Sequence, residues 1–204
     1  MLNSLQEQLS LIEDINNSCR LFFSESTFFL RPSKTNRFML TGSYSSSAIN
    51  NHGNTSEEIN VIKWFDDLWI YIEIKFENQN TFISLSVFQG VDSDCVKHQL
   101  FRAEWDDYNN DEEKHPQPHW HITSNQGIEK TFVELASLDD ADTFVNLLKE
   151  EKSKLIDVSK IHFAMNGNWI NNESEIHSLD DKPKIINWFN GLFAHLKVQL
   201  EYVK

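Results

Sequence analysis

The sequence predicts an α+β fold: an antiparallel sheet of about five to six strands packed by N-terminal, middle and C-terminal helices. Three observations carry that expectation. Apolar residues recur every three or four positions at both ends of the chain, strict alternation runs through its middle, and short polar turns separate the alternating runs.

The elements follow in order. Leu2, Leu5, Leu9, Ile12, Ile15, Cys19 and Phe22 form one helical stripe, with Gln6, Glu7, Glu13 and Asp14 between them. Pro32 and the polar residues after it end a short segment, and residues 37–44 (RFMLTGSY) read as a strand. Residues 45–58, SSSAINNHGNTSEE, read as a surface loop or strand connection, because Ser, Asn and Gly favour turns. In residues 69–77, Ile70, Ile72, Ile74 and Phe76 alternate with Tyr71, Glu73, Lys75 and Glu77, the period of a strand. After a short turn at 78–80, residues 81–88 repeat the pattern through Ile83, Leu85 and Val87. A third strand, about 97–106, places Phe101, Ala103 and Trp105 on one face and Arg102, Glu104 and Asp106 on the other. An acidic loop leads to HPQPHWHITS, whose end reads as a fourth strand, so that the middle of the chain reads as an antiparallel meander. Such alternation describes a sheet with one covered and one wetter face.

The last third turns helical. Residues 137–155 open with Ser137 and Asp140 in capping-box spacing, followed by an apolar stripe. Residues 160–166 read as a short strand. Asp180 or Asp181 then caps a helix with Pro183 in its first turn and Ile185, Phe189, Leu192, Phe193, Leu196, Leu200 and Val203 on one face. No repeat or linker divides the chain, so residues 1–204 are expected to form a single domain.

Composition narrows the function classes. Eighteen basic residues against thirty-one acidic ones leave a net charge of −13, which argues against a sequence-independent nucleic-acid binder, whose affinity comes from Lys and Arg displacing counterions from phosphates. A hydrophobic fraction of 40% excludes general disorder. The N-terminal residues lack the pattern of a secretory leader, and no apolar run approaches the roughly 18 residues that span a bilayer. A cytoplasmic location without membrane association is expected, with Cys19 and Cys95 as free thiols. Trp64, Phe65, Trp69 and Trp169 flank polar loops and are expected to form an exposed apolar patch suited to a partner.

One segment carries chemistry. His115, His119 and His121 stand as H-x-x-x-H-x-H, interrupted by Pro116 and Pro118. On a strand, His119 and His121 project from one face and Trp120 and Ile122 from the other. If residues 97–106 pair with this strand antiparallel, Arg102, Glu104 and Asp106 share the face of the two histidines. Imidazoles and carboxylates gathered in this way suit a divalent transition metal, acid–base work or metal-assisted hydrolysis. A structural role stands beside that reading, since histidines at a strand edge also serve as hydrogen-bond partners.

The H-x-H of His119 and His121 resembles the first half of a cupin metal motif, but the next acid, Glu129, falls beyond the usual spacing and the glycine frame is missing. QPHWHIT resembles the histidine strand of the histidine-triad nucleotide hydrolases, with Gln117 where the first histidine belongs. Over a longer stretch, FRAEWD (101–106), HPQPHWHI (115–122), IHFAMNGNW (161–169) and the C-terminal helix resemble small uncharacterised prokaryotic proteins with a PHWH-type strand, of the kind encoded in toxin–antitoxin or phage-defence loci.

Two functions are therefore expected as alternatives. The first is a non-catalytic accessory subunit of a multi-component system, without a cofactor, using its apolar helix faces to bind a protein partner or a second copy of itself. The second is a metal-dependent phosphoesterase or nuclease, with His115, His119 and His121 as ligands, Glu104 or Asp106 in acid–base work and Arg102 neutralising developing charge.

Overall fold

The structure, a computed structural model, describes residues 4–52, 55–77, 80–106, 118–123, 156 and 181–204. Helix α1 (Leu5–Cys19) starts at a capping box in which the Ser4 hydroxyl accepts from the Glu7 amide and the Glu7 carboxylate accepts from the Ser4 amide. A 3₁₀ turn (Arg20–Phe22) follows. Eight strands come next: β1 (Phe29–Lys34), β2 (Arg37–Thr41), β3 (Ser45–His52), β4 (Thr55–Phe65), β5 (Leu68–Glu77), β6 (Asn80–Gln89), β7 (His98–Asp106) and β8 (His119–Ile122). Helix α2 (Lys182–Val203) closes the chain, with the Asp181 carboxylate capping the Lys184 amide.

All named strand pairs are antiparallel, in the order β1-β2-β5-β6-β7-β8. Strand β5 gives one edge wholly to β6 and divides the other between β2 and β4. The α+β class is as expected, but the sheet has eight strands rather than five to six. Strand β1 lies outside the expected set, and the rest of the excess has a specific source. The segment predicted as a loop, 45–58, is mostly the hairpin β3–β4, paired from Ser45↔Ile62 to His52↔Thr55. Its Ser and Asn side chains do not turn the chain; Asn50 is buried and bonded to Ser86 and Gln99, so tertiary partners override local preference. The predicted middle helix 137–155 and strand 160–166 lie outside the described residues.

The main core lies between one sheet face and the helices. Leu11, Ile12, Ile15 and Cys19 of α1 and Ile185, Phe189, Leu192, Phe193, Leu196 and Leu200 of α2 meet Ile70, Ile72, Ile74, Ile83, Leu85, Val87, Phe101, Ala103 and Trp105 there. Burial pushes the Cys19 thiol up to about 12, whereas Cys95 is exposed. The folded protein therefore holds the Cys19 proton at pH values where the unfolded thiol ionises. Its contribution to stability is intact below pH 9.0 and falls as pH rises toward 12, by about 1.4 kcal/mol per unit. At pH 8 a thiol reagent is expected to label Cys95 rapidly and Cys19 only on unfolding; equal labelling rates would contradict this burial.

The opposite face is not the wet surface the alternation predicts. The β3–β4 hairpin pairs with β5 only near its base, at Ile62, Lys63 and Phe65, and its distal half curls over this face. Ala48, Ile59 and Val61 pack there on Trp69, Tyr71 and Phe88. The curl is held by the Lys97 amide donating to the Ser47 carbonyl at 3.1 Å and by the Asn51 amide donating to Gln99 Oε1 at 2.8 Å. A bulge at Leu100 re-phases β7, so that Gln99 and Arg102 both face the hairpin. The expected exposed patch is also corrected: Trp64, Phe65 and Trp69 are buried, and Trp169 lies outside the described residues. Trp64 and Phe65 join the main core, whereas Trp69 lies under the hairpin with Lys63 and Lys97 ammoniums 4.6 and 4.7 Å from its ring centroid. No helix among the described residues is long and apolar enough to cross a membrane.

Candidate metal centre

The site grows from the pairing of β7 with β8. The register sets Glu104 opposite His119 and Arg102 opposite His121, while Ala103 opposite Trp120 faces the core. Period two then gives all four polar side chains one face. Trp120 anchors the other side of the short strand, its ring 5.8 Å from that of Phe101 in an edge contact. This fixes the rotation of β8 and hence the direction of both imidazoles.

Glu104 is 4% exposed and Arg102 is 3% exposed. Their side chains form a two-pronged ion pair, Arg102 Nε to Glu104 Oε1 at 2.6 Å and Nη2 donating to Oε2 at 3.2 Å. Arg102 Nη1 donates to the Asn51 carbonyl of the hairpin. The guanidinium is thus committed to neutralising and orienting the buried carboxylate. From the sequence, Arg102 is expected to neutralise developing charge; in the structure the charge beside it is that of Glu104.

His119 and His121 converge on Oε2. The Nε2 atoms are 2.8 Å apart, and they lie 3.7 Å (His119) and 3.0 Å (His121) from that oxygen. Depending on the imidazole tautomers, the two nitrogens and the carboxylate oxygen either share protons among themselves or all direct lone pairs into the corner. A cation satisfies all three. Tetrahedral ligands at roughly 2.0–2.1 Å from a zinc-sized ion stand roughly 3.3 Å from one another, a value bracketed by the three separations. Burial, reinforced by the nearby Arg102 charge, lowers the His121 pKa from the ordinary imidazole value, despite the opposing influence of Glu104. The neutral imidazole is the ligating form. His121 keeps 48% of its side chain exposed, so the corner opens toward solvent.

The other oxygen, Oε1, meets a residue absent from the expected set. His52, at the end of β3, places Nε2 3.3 Å from it. Nothing in the local sequence ties His52 to Glu104, since the hairpin's curl alone brings them together. Asp106 shares the face of Glu104 but stands opposite Phe82, outside the three-donor corner. His115 lies outside the described residues. Glu104, His119 and His121 are the one group of His, Cys, Asp and Glu among the described residues whose donor atoms come close enough to hold a metal ion.

No protein-family model matches this chain, and neither the curated proteins nor the solved structures compared with it contain a match.

Proposed function

We propose that this protein is a metal-dependent hydrolase of the phosphoesterase or nuclease type, with Glu104, His119 and His121 as its metal ligands. The observation that carries the reading is the convergence of three donor atoms on one partly open corner. Three protein ligands with a solvent-facing side match the pattern of catalytic rather than closed structural sites. A divalent transition metal bound there supplies Lewis acidity toward a phosphoryl oxygen and toward water. The chain's own contribution is to hold the ligands. Arg102 keeps Glu104 fixed and its charge balanced, Trp120 sets the imidazole directions, and the hairpin covers the sheet face next to the corner. The apolar faces of α1 and α2, which in the sequence favour partner binding, contribute most of their bulk to the chain's own core, and this supports the metal reading over the accessory-subunit one.

The test is metal content in protein purified without an affinity tag, incubated with Zn²⁺, Mn²⁺ or Co²⁺ and dialysed. Wild type is expected to retain stoichiometric metal, and His119→Ala/His121→Ala to lose it together with metal-dependent hydrolysis of bis(p-nitrophenyl) phosphate and p-nitrophenyl phosphate. Wild-type protein that emerges metal-free sinks the centre. Retained metal without turnover of either ester removes the hydrolase and leaves a binding site.

A further inference from the structure

The hairpin does more than cover the sheet, because its end carries an imidazole to the carboxylate of the proposed centre. We infer that His52 is a positioning residue, holding Glu104 so that Oε2 alone faces the metal. This inference rests on the metal reading above.

The two oxygens of Glu104 have divided surroundings. Oε2 faces the imidazoles of His119 and His121, whereas Oε1 faces Arg102 Nε at 2.6 Å and His52 Nε2 at 3.3 Å. His52 Nε2 approaches Oε1 to 3.3 Å without the alignment of a hydrogen bond; with hydrogen on Nε2, a small turn of the exposed ring lets it donate to Oε1 and resist rotation of the carboxylate into a two-oxygen binding mode. Outer hydrogen bonds of this kind orient ligands and raise metal affinity. His52 itself falls outside the group of mutually close donor atoms.

Its placement is enforced from both sides. The residue before it is pinned to β7 through both backbone groups: the Asn51 amide donates to Gln99 Oε1, and the Asn51 carbonyl accepts from Arg102 Nη1. The His52 ring then meets Phe82 edge-on, with centroids 6.2 Å apart. Arg102 therefore couples the hairpin to the centre directly, since one guanidinium grips both Asn51 and Glu104. More than half of the His52 side chain is exposed, so its truncation leaves the core intact.

The experiment compares wild type, His52→Ala and His52→Gln for Zn²⁺ affinity, by competition with a chromophoric chelator, and for the visible spectrum of the Co²⁺ form. Charge-assisted bonds run at roughly 2.7–2.9 Å, so the longer His52 contact sets the expectation near the lower end of outer-ligand effects, about tenfold weaker binding in His52→Ala. The Co²⁺ spectrum at saturation is expected to match wild type, the metal-free melting temperature to stay unchanged, and His52→Gln, whose amide also donates, to recover most of the affinity. Unchanged affinity in His52→Ala overturns the inference while the centre stands. A Co²⁺ spectrum altered in shape overturns it differently, by making His52 a ligand. Wild-type protein that binds neither ion removes the centre and the inference together.

Discussion

Glu104→Gln is expected to destabilise the metal-free protein by about 3–5 kcal/mol, the range for breaking a buried ion pair by removing one partner. The substitution keeps the shape of the side chain and deletes its charge. Arg102 is then left as a cation 3% exposed, gripping only a backbone carbonyl and a neutral amide. The loss comes chiefly from leaving the guanidinium uncompensated, and a paired design separates this from packing. Replacing both residues by apolar side chains of similar volume, Arg102→Met/Glu104→Leu, is expected to recover much of the stability and none of the metal binding. Urea denaturation in the presence of a chelator reads both. Wild-type stability in Glu104→Gln would mean that water reaches the pair and that the carboxylate is not held as the structure has it.

The second large effect lies on the other side of the sheet. Phe193→Ala is expected to cost about 3–5 kcal/mol, combining lost transfer energy with the cavity left behind. Phe193 is fully buried, and its ring meets five others: Phe22 stacked at 5.4 Å, Trp64 at 5.5 Å, Phe23 at 5.7 Å, Phe28 at 6.2 Å and Phe189 at 6.5 Å. These rings come from the 3₁₀ turn after α1, the segment between that turn and β1, β4 and α2, so one truncation loosens four parts of the fold. Phe193→Leu, which fills most of the volume, is expected to lose much less. A loss for Phe193→Ala under about 1 kcal/mol would show that the cluster re-collapses and is not close-packed.

The sheet strands nearest the site were readable because their periodicity is local. Ile70, Ile72 and Ile74 alternate with Tyr71 and Glu73, and that phase states which residues share a face without any knowledge of neighbours. The same argument phases Arg102 with Glu104 and His119 with His121; antiparallel pairing of β7 with β8 then joins the two sets. Reading the remainder fails at identifiable points. Ser45–His52 carries few apolar residues, and its strand character comes from pairing with β4 and from Asn50 finding Ser86 and Gln99. Trp69 looks like a loop-flanking aromatic because the residues that bury it, Ala48, Ile59 and Val61, belong to a hairpin that crosses over from the sheet edge.

Alternation and helical stripes alone were enough for the α+β class, the antiparallel meander, the two terminal helices, and the pairing by face of Arg102 with Glu104 and of His119 with His121; the β7–β8 register joined the two pairs. Folding in three dimensions added the cover on the second face, the burial that converts Arg102 and Glu104 into a closed pair, and the arrival of His52 at Glu104 Oε1. The division has a physical basis. The direction in which a side chain leaves a strand follows from backbone geometry one residue at a time, whereas what covers that side chain depends on where a distant hairpin bends, and no local pattern encodes the bend.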